Sequence, residues 1–477
     1  MSVKKNFAYN SILLVSQYIF PMLVFPYITR IFGASTLGMV SFVDGICDYF
    51  VLFSVLGLTL TGIRAIAKAK GDKNELSKLF SELLTLHLLS TLIFLIIYVG
   101  LILTVPKMRI SSPLFFISIS KLFFNVFLVE WFYRGIENFK FITARTIAIK
   151  TVYVALVFLL VKTKADYLIY YALTCGIVVI NAIVNFSYLR GKINFKFRNL
   201  NIKQHLTPFF TVGLYILVTS MYTSLNIGFL GFVTNNTSVG YYSASSKIFM
   251  ILLGFFSALN TVLIPRLSSI IVDNDQDSFL KLIYKSFDVV VAFAFPIIFC
   301  GFILAKPIIY TIAGKGYDGA IICFKLIIPL IFILGLAQIF ANQILMTLKK
   351  DRELLIASIV GAVTGITLNI ILVPLYKEVG TSIVLIVSET TVTVLLYRFV
   401  TKFTSFRLPV KKVLVNLAMS IPYIIISVAA MALFSKPIIV LMIAGSVSGL
   451  YFVVSQLFVL KNEFLLTYYY KLPMVRS

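Results

Sequence analysis

The residues of this sequence that solvation alone does not explain are the ionisable side chains inside long apolar runs. A charged group at mid-bilayer depth costs about 2.5–3.5 kcal/mol on insertion scales, so it normally faces a partner or a water-filled cavity. The basic members of the set are Arg30, Lys121, Lys150 and Lys247, with Lys325 nearer the end of its run; the acidic ones are Asp44, Asp48, Glu130, Asp288 and Glu389. A long basic side chain can instead carry its charge to an interface along its own stem. That reading is as good as the cavity one for Arg30 and Lys325, and weaker for Lys121, Lys150 and Lys247, which lie deeper in their runs. Arg64 and Arg266 close two further runs. Together, Arg30, Arg64, Lys121, Lys150, Lys247 and Arg266 could hold a phosphate or diphosphate through charge-assisted hydrogen bonds. Asp44 and Asp48 are one helical turn apart and share a face. They could pair with Arg30 or Lys121, or take a proton or Na⁺; Glu130 and Glu389 are further candidates for ion coupling or as counter-ions.

Other constellations carry less. Asp273-Asn274-Asp275-Gln276-Asp277 has alternating acids, but Ser278 replaces the turn glycine of a calcium loop and Tyr284 stands where its bidentate Glu belongs. A solvated loop accounts for it better. Ala313-Gly314-Lys315-Gly316 lacks the spacing of a phosphate-binding loop, and His87 and His205, the only histidines, have no evident nucleophile. The four cysteines, Cys47, Cys175, Cys300 and Cys323, stand singly in apolar runs, which suits packing rather than disulfides or metal. No catalytic residue, metal site or cofactor is expected.

The elements that must position these groups are membrane helices. The chain has 477 residues, 60% hydrophobic and only 13% charged, with mean hydropathy +1.00, far from the balance of soluble domains. Its formal charge of +24 suits loops facing anionic head groups, and nucleic acid is not implied. A ruler of about 20 apolar residues per crossing finds fourteen spans, at 8–31, 36–61, 80–105, 113–133, 141–161, 166–188, 208–232, 239–264, 286–304, 320–347, 353–375, 381–398, 413–434 and 437–460. Pro21, Pro26, Pro265, Pro296 and Pro329 fall in or beside spans and suggest bends. The segments Arg64–Lys78, Arg190–His205 and Arg398–Lys412 hold five Lys/Arg each, which places them and both termini in the cytoplasm.

The basic connector 190–207 separates an N-terminal lobe, 1–189 with spans 1–6, from a C-terminal lobe, 208–408 with spans 7–12; residues 409–477 add spans 13–14 and a cytoplasmic tail. Ser35-Thr36-Leu37-Gly38 and Arg64 recur as Thr237-Ser238-Val239-Gly240 and Arg266 at the same offset of 202. Six spans separate the copies, so this is a parallel repeat. The expected fold is an all-α polytopic membrane protein of two pseudo-symmetric six-helix lobes plus a helix pair. Tyr215, Ser220, Tyr222, Thr223, Ser224, Asn226, Tyr241, Tyr242 and Ser243 would give spans six through eight a wet wall, although Ser and Thr also serve helix packing.

Glu130-Trp131-Phe132-Tyr133-Arg134-Gly135-Ile136-Glu137-Asn138-Phe139-Lys140 ends span four with the only tryptophan. Physically it reads as an interfacial anchor, with Trp131 and Tyr133 at head-group level and Gly135 allowing the turn. It also resembles the aromatic-Gly-x-Glu-x-Phe segment of bacterial polysaccharide repeat-unit (O-antigen type) flippases, within the multidrug/oligosaccharidyl-lipid/polysaccharide exporter superfamily. Asn6-Phe7, Pro26-Tyr27, Arg30-Ile31-Phe32-Gly33, Gly240-Tyr241-Tyr242-Ser243 and Pro265-Arg266-Leu267-Ser268 look like further landmarks of that family. Asn226 departs from an Asp common in relatives, which puts a carboxylate role there in doubt. The resemblance implies alternating access by two lobes in the bacterial inner membrane. It implies an undecaprenyl-diphosphate-linked oligosaccharide as cargo for O-antigen, capsule or exopolysaccharide synthesis; coupling to a proton or sodium gradient is one of the two readings of Asp44 and Asp48. Membrane lipid, a polysaccharide polymerase and a chain-length regulator would be its partners. A lipid II flippase or a cation-coupled drug exporter of the same superfamily are the competing readings, and an enzyme is disfavoured by the short external loops.

Overall fold

The computed structural model describes residues 3–196, 200–223, 225–273, 275–462 and 466. Arg198 of the connector, Ser224, Asn274 and most of the tail beyond Asn462 lie outside the described residues. Every regular element among the described residues is helical: α1 Val3–Val55, α2 Leu58–Lys68, α3 Lys73–Thr104, α4 Pro106–Ile110, α5 Ser112–Phe124, α6 Glu130–Gly135, α7 Phe139–Leu160, α8 Tyr167–Ser187, α9 Lys203–Thr223, α10 Leu225–Val233, α11 Asn236–Val272, α12 Gln276–Ile303, α13 Ala305–Ile312, α14 Asp318–Ile327, α15 Leu330–Gln338, α16 Asp351–Phe403, α17 Val410–Ala418, α18 Ile421–Leu433 and α19 Pro437–Val454. Ten helical stretches among the described residues are long and apolar enough to cross a membrane, or eleven when the bent pair Asp318–Ile327 and Leu330–Leu345 counts as one. Exposed Ile96, Leu375, Leu433, Met442 and Leu450 show the apolar surface such a protein turns to lipid.

α1 and α16 have 53 residues each, which at 1.5 Å per residue is far longer than one crossing. Hydropathy separates 8–31 from 36–61 and 353–375 from 381–398, and the structure breaks in both gaps: the torsions leave the helical region at Gly33 (φ 68°) and at Lys377 (φ 49°), so each stretch is two helices meeting at a kink. Of the prolines read as bends, Pro329 sits in the break of the 43° pair. Pro26 and Pro296 lie inside their helices, with the non-helical torsions of α1 at Gly33.

Local sequence explains several boundaries. Asp72 caps α3 by accepting the N–H groups of Asn74 (2.7 Å) and Glu75 (3.2 Å). Asp275 caps α12 by accepting the Ser278 N–H at 2.9 Å, so part of the acid-rich loop serves as a helix start.

The chain forms two compact units, Met1–Gly240 and Tyr241–Ser477. In the first, α1 packs on α3, α5, α7 and α10, α5 on α8, and α2 on α6. Small residues bring α9 and α10 close to the second half of α1 and to the start of α2. The Gly57 N–H donates to Phe209 O at 3.2 Å, and a methyl group at Gly213 would stand 2.9 Å from the Gly57 nitrogen. The two landmark glycines meet as well: a methyl group at Gly38 would stand 1.7 Å from Asn236 O, and one at Gly240 would stand 1.9 Å from Ala34 O. Approach this close is open only to residues without a Cβ.

Trp131, Phe132 and Tyr133 do not face the head groups. All three are buried in a core with Phe80, Leu58 and Ile66; Trp131 stacks on Phe80, and the Tyr133 hydroxyl donates to Asn185 O at 2.5 Å. Gly135 is needed for proximity rather than for a turn, because a Cβ there would stand 2.7 Å from Ile66; the left-handed residue is Glu137 (φ 59°).

The connector is not a bare solvated hinge. Ser77 Oγ accepts the Asn194 N–H (3.1 Å), Ser81 Oγ accepts the Lys196 N–H (3.0 Å), and fully buried Glu82 accepts from Asn201 N–H (2.8 Å) and Gln204 Nε2 (2.9 Å), with His205 Nε2 2.8 Å away. Lys73 Nζ donates to Gly191 O at 3.1 Å. One face of α3 therefore clasps the connector at both ends.

In the second unit α12 packs on α15, α17 and α18, and both α14 and α15 pack on α16. A π-helical turn, Ile339–Leu345, follows α15. There Gln343 Nε2 donates to Asn260 Oδ1 (2.7 Å), Asn260 Nδ2 to Gln338 Oε1 (2.6 Å) and Gln338 Nε2 to Ser257 Oγ (3.4 Å).

Candidate functional site

Asp44 and Asp48 do share one face of α1, and Lys121 of α5 lies between them. Its ammonium is 2.7 Å from Asp44 Oδ1 and 2.6 Å from Asp48 Oδ1. The Tyr171 hydroxyl donates to Asp44 Oδ1 at 3.4 Å. Beneath, Cys47 Sγ donates to Ser118 O (3.5 Å) and Tyr98 Oη lies 2.7 Å from Ser118 Oγ. The Lys121 side chain is only 14% exposed, whereas Asp48 stands open, so the group is reached past Asp48. Its formal charge is one negative. In this arrangement two carboxylates offset Lys121, the pairing alternative raised by the sequence.

A second cluster forms where span four breaks. A 3₁₀ turn, Asn125–Leu128, leads into Val129 with φ 38°, and α6 restarts at Glu130. The break frees backbone groups, and Asn185 of α8 donates its amide to Leu128 O, as intramembrane irregular backbone requires. Arg145 of α7, 4% exposed, donates to Glu130 Oε1 (2.8 Å), to Thr146 Oγ1 (3.0 Å) and to Asn185 Oδ1. Arg134 is 3.6 Å from Glu130 Oε2. Two guanidiniums against one carboxylate leave this cluster one positive.

Sequence reading named Glu130 but missed Arg145. An arginine seven residues past Asn138 and inside an apolar run was the available signal, by the rule that singled out Lys121. The remaining predicted cations are dispersed. Lys150 is half-buried on α7 with its ammonium 5.8 Å from the Phe20 ring; Arg30 and Arg64 are exposed in the first unit, Lys247 and Arg266 exposed in the second. Glu389 is buried on α16, and its carboxylate has no ion pair among the described residues. Asp288 pairs with Lys412. Several hydroxyls read as a wet wall are satisfied by their own helix: Thr219 donates to Tyr215 O and Thr223 to Thr219 O, while buried Asn226 donates to Tyr222 O.

Among solved structures, "Lipid II flippase MurJ, inward closed conformation" aligns with TM-score 0.75 at 16% identity, over 91% of this chain and 97% of that one. An inward-facing multidrug resistance MATE family transporter of the MOP superfamily aligns at TM-score 0.62 and 15% identity, over 85% and 95%. These likenesses show a shared transporter fold. In sequence, a protein of Escherichia coli (strain K12) described as "Putative O-antigen transporter" is 28% identical over 409 residues, covering 84% of this chain and 97% of its own length. A protein of Shigella dysenteriae with the same description is 26% identical, covering 81% and 97%. The family described as "Polysaccharide biosynthesis protein" matches residues 3–271, a stretch that contains both charged clusters and both landmark glycines. The chain is a multi-pass membrane protein that belongs to this polysaccharide biosynthesis protein family.

Proposed function

We propose that the protein flips undecaprenyl-diphosphate-linked oligosaccharide repeat units across the bacterial inner membrane by alternating access, with both termini cytoplasmic. The observation that carries the reading is the pair of charged clusters inside the spans of a chain whose relatives, described as O-antigen transporters, it covers almost end to end. The positive cluster of Arg145, Arg134 and Glu130 suits a diphosphate, which needs compensating charge where water is scarce. Arg30, Lys150 and Lys247 would accompany the cargo, and Arg64 and Arg266 would guide it at the inner face. The negative cluster of Asp44, Asp48 and Lys121 suits a coupling proton or Na⁺: binding there would loosen Lys121 from its carboxylates. Buried Glu389 is a second candidate for a proton. The division into spans 1–6 and 7–12 belongs to the same proposal, supported by the meeting of the repeat-equivalent Gly38 and Gly240. A polymerase and a chain-length regulator would receive the product outside.

The test is neutralisation of Arg30, Arg64, Arg145, Lys150, Lys247 and Arg266 to Gln, one at a time, with surface repeat-unit display and protein abundance measured together. Active cations lost should lower display at similar abundance. Display at the unmodified level in all six would remove the cationic path.

A further inference from the structure

The end of the molecule where α17 begins and α19 finishes holds a cavity of about 350 Å³ that the transport reading does not use. Lys411, Lys412 and Lys461 line it, together with the amides of Asn416, Gln456 and Asn462 and the carboxylate of Asp288. Lys412 is committed, with its ammonium 2.8 Å from both Asp288 oxygens. Three ammonium groups thus face one carboxylate. The amides are ordered among themselves: Gln456, buried in the π-helical turn Ser455–Val459, donates to Asn416 Oδ1 at 3.1 Å and accepts from Asn462 at 3.5 Å. α17 has no acidic residue in its first turn, so its positive end adds to the lysines instead of being offset. Val415 and Leu460 give the lining an apolar part, and Val415 and the neighbours in sequence Leu414, Phe458 and Val459 are exposed. A cationic, amide-lined pocket with an apolar part matches a molecule with an anionic phosphate head and hydrocarbon tails.

We propose that this pocket binds the phosphate head group of an anionic phospholipid of the surrounding bilayer. Lys411 and Lys461 meet the phosphate, the Asn416–Gln456–Asn462 amides meet head-group oxygens, and the acyl chains lie along the apolar part of the lining. The lysines at the two ends of the helix pair are thereby joined through the lipid.

The full chain, purified in detergent, is titrated with phosphatidylglycerol or phosphatidylethanolamine and bound lipid is counted by native mass spectrometry. At about 1 kcal/mol per lysine near a charged surface, K461Q should weaken phosphatidylglycerol binding about fivefold and K411Q/K461Q about thirtyfold, with phosphatidylethanolamine unaffected. Both variants keep the Lys412–Asp288 pair. The single variant leaves α17 intact and decides the matter if the double one fails to fold. Unchanged phosphatidylglycerol retention in K461Q would overturn the site. Undecaprenyl phosphate displacing phosphatidylglycerol at equal concentration would overturn the assignment to bilayer lipid.

Discussion

Lys121 stabilises two acids at once, so its removal should be worse than its own modest exposure suggests. In K121Q, Asp44 and Asp48 lose the ammonium that lies between them, and because Asp48 is 59% exposed the cost falls below the ~3–5 kcal/mol of breaking a fully buried pair. We expect K121Q to lower the melting temperature of the purified protein, and D44N in the same chain to recover much of the loss. If D44N/K121Q is no more stable than K121Q, the trio is not a coupled unit. Arg145 behaves differently because it contacts Glu130, Thr146 and Asn185 together. A lysine lacks the planar fork for that, so R145K should lose surface display nearly as fully as R145Q; a variant near the unmodified level would mean that charge alone suffices. At the exposed turn before α7, the Lys70 ammonium donates to Glu137 at 2.8 Å and holds that carboxyl below its usual range. A lowered folded-state value contributes stability present above about pH 4.3 and lost as pH falls through it. K70Q should therefore change nothing measurable at pH 7 beyond the small worth of an exposed pair, and should flatten the acid limb of a stability profile.

At the scale of elements, backbone proximity and backbone conformation separate cleanly. Gly38 and Gly240 leave no space for a methyl group, whereas Gly33 has nothing within 4 Å of where its Cβ would be. G38A and G240A should each sharply reduce abundance in the membrane, by overpacking against rigid backbone. G33A should cost only the roughly 1–3 kcal/mol of a torsion that glycine alone adopts readily, visible as a lower melting temperature with abundance retained. Equal abundance of all three would contradict the close approach. The spans were legible because hydrocarbon thickness imposes a length on each apolar run. The joints at Gly33 and Lys377 were legible too, because the hydropathy gaps at 32–35 and 376–380 bracket them and Pro374 precedes the second, whereas Val129 breaks span four where hydropathy sees a continuous run. Trp131 was misplaced because an aromatic at a span's end suits a head-group belt and a core equally until its neighbours are known. The glycine recurrence at offset 202 was visible, but that the two copies would touch was not, since periodicity carries no distance.

For the whole molecule, orientation is the property most directly testable. With the cytoplasmic assignment of Arg64–Lys78, Arg190–His205 and Arg398–Lys412, single cysteines introduced there, in a chain lacking Cys47, Cys175, Cys300 and Cys323, should resist an impermeant thiol reagent applied to intact cells. Labelling at the central connector would invert the topology and the direction of transport with it. Of the candidate site, the acidic pair and Glu130 were legible as intramembrane charges, while their partners were settled only by helices brought together from distant parts of the chain. α8 supplies Tyr171 to one cluster and Asn185 to the other, and nothing local in either segment marks that service.

The clasp on α3 also bears on how the protein can be handled. A stretch as basic and polar as Gly191–His205 is where one would ordinarily insert a fluorescent reporter or an affinity tag. Here its backbone N–H groups at Asn194, Lys196 and Asn201 are spoken for by Ser77, Ser81 and Glu82, and an insertion would pull them apart and leave a buried carboxylate unanswered. The turn at Gly71 is no better placed, since Lys70 pairs with Glu137, Asp72 caps α3 and Lys73 holds Gly191 O, so a label belongs away from this face of α3.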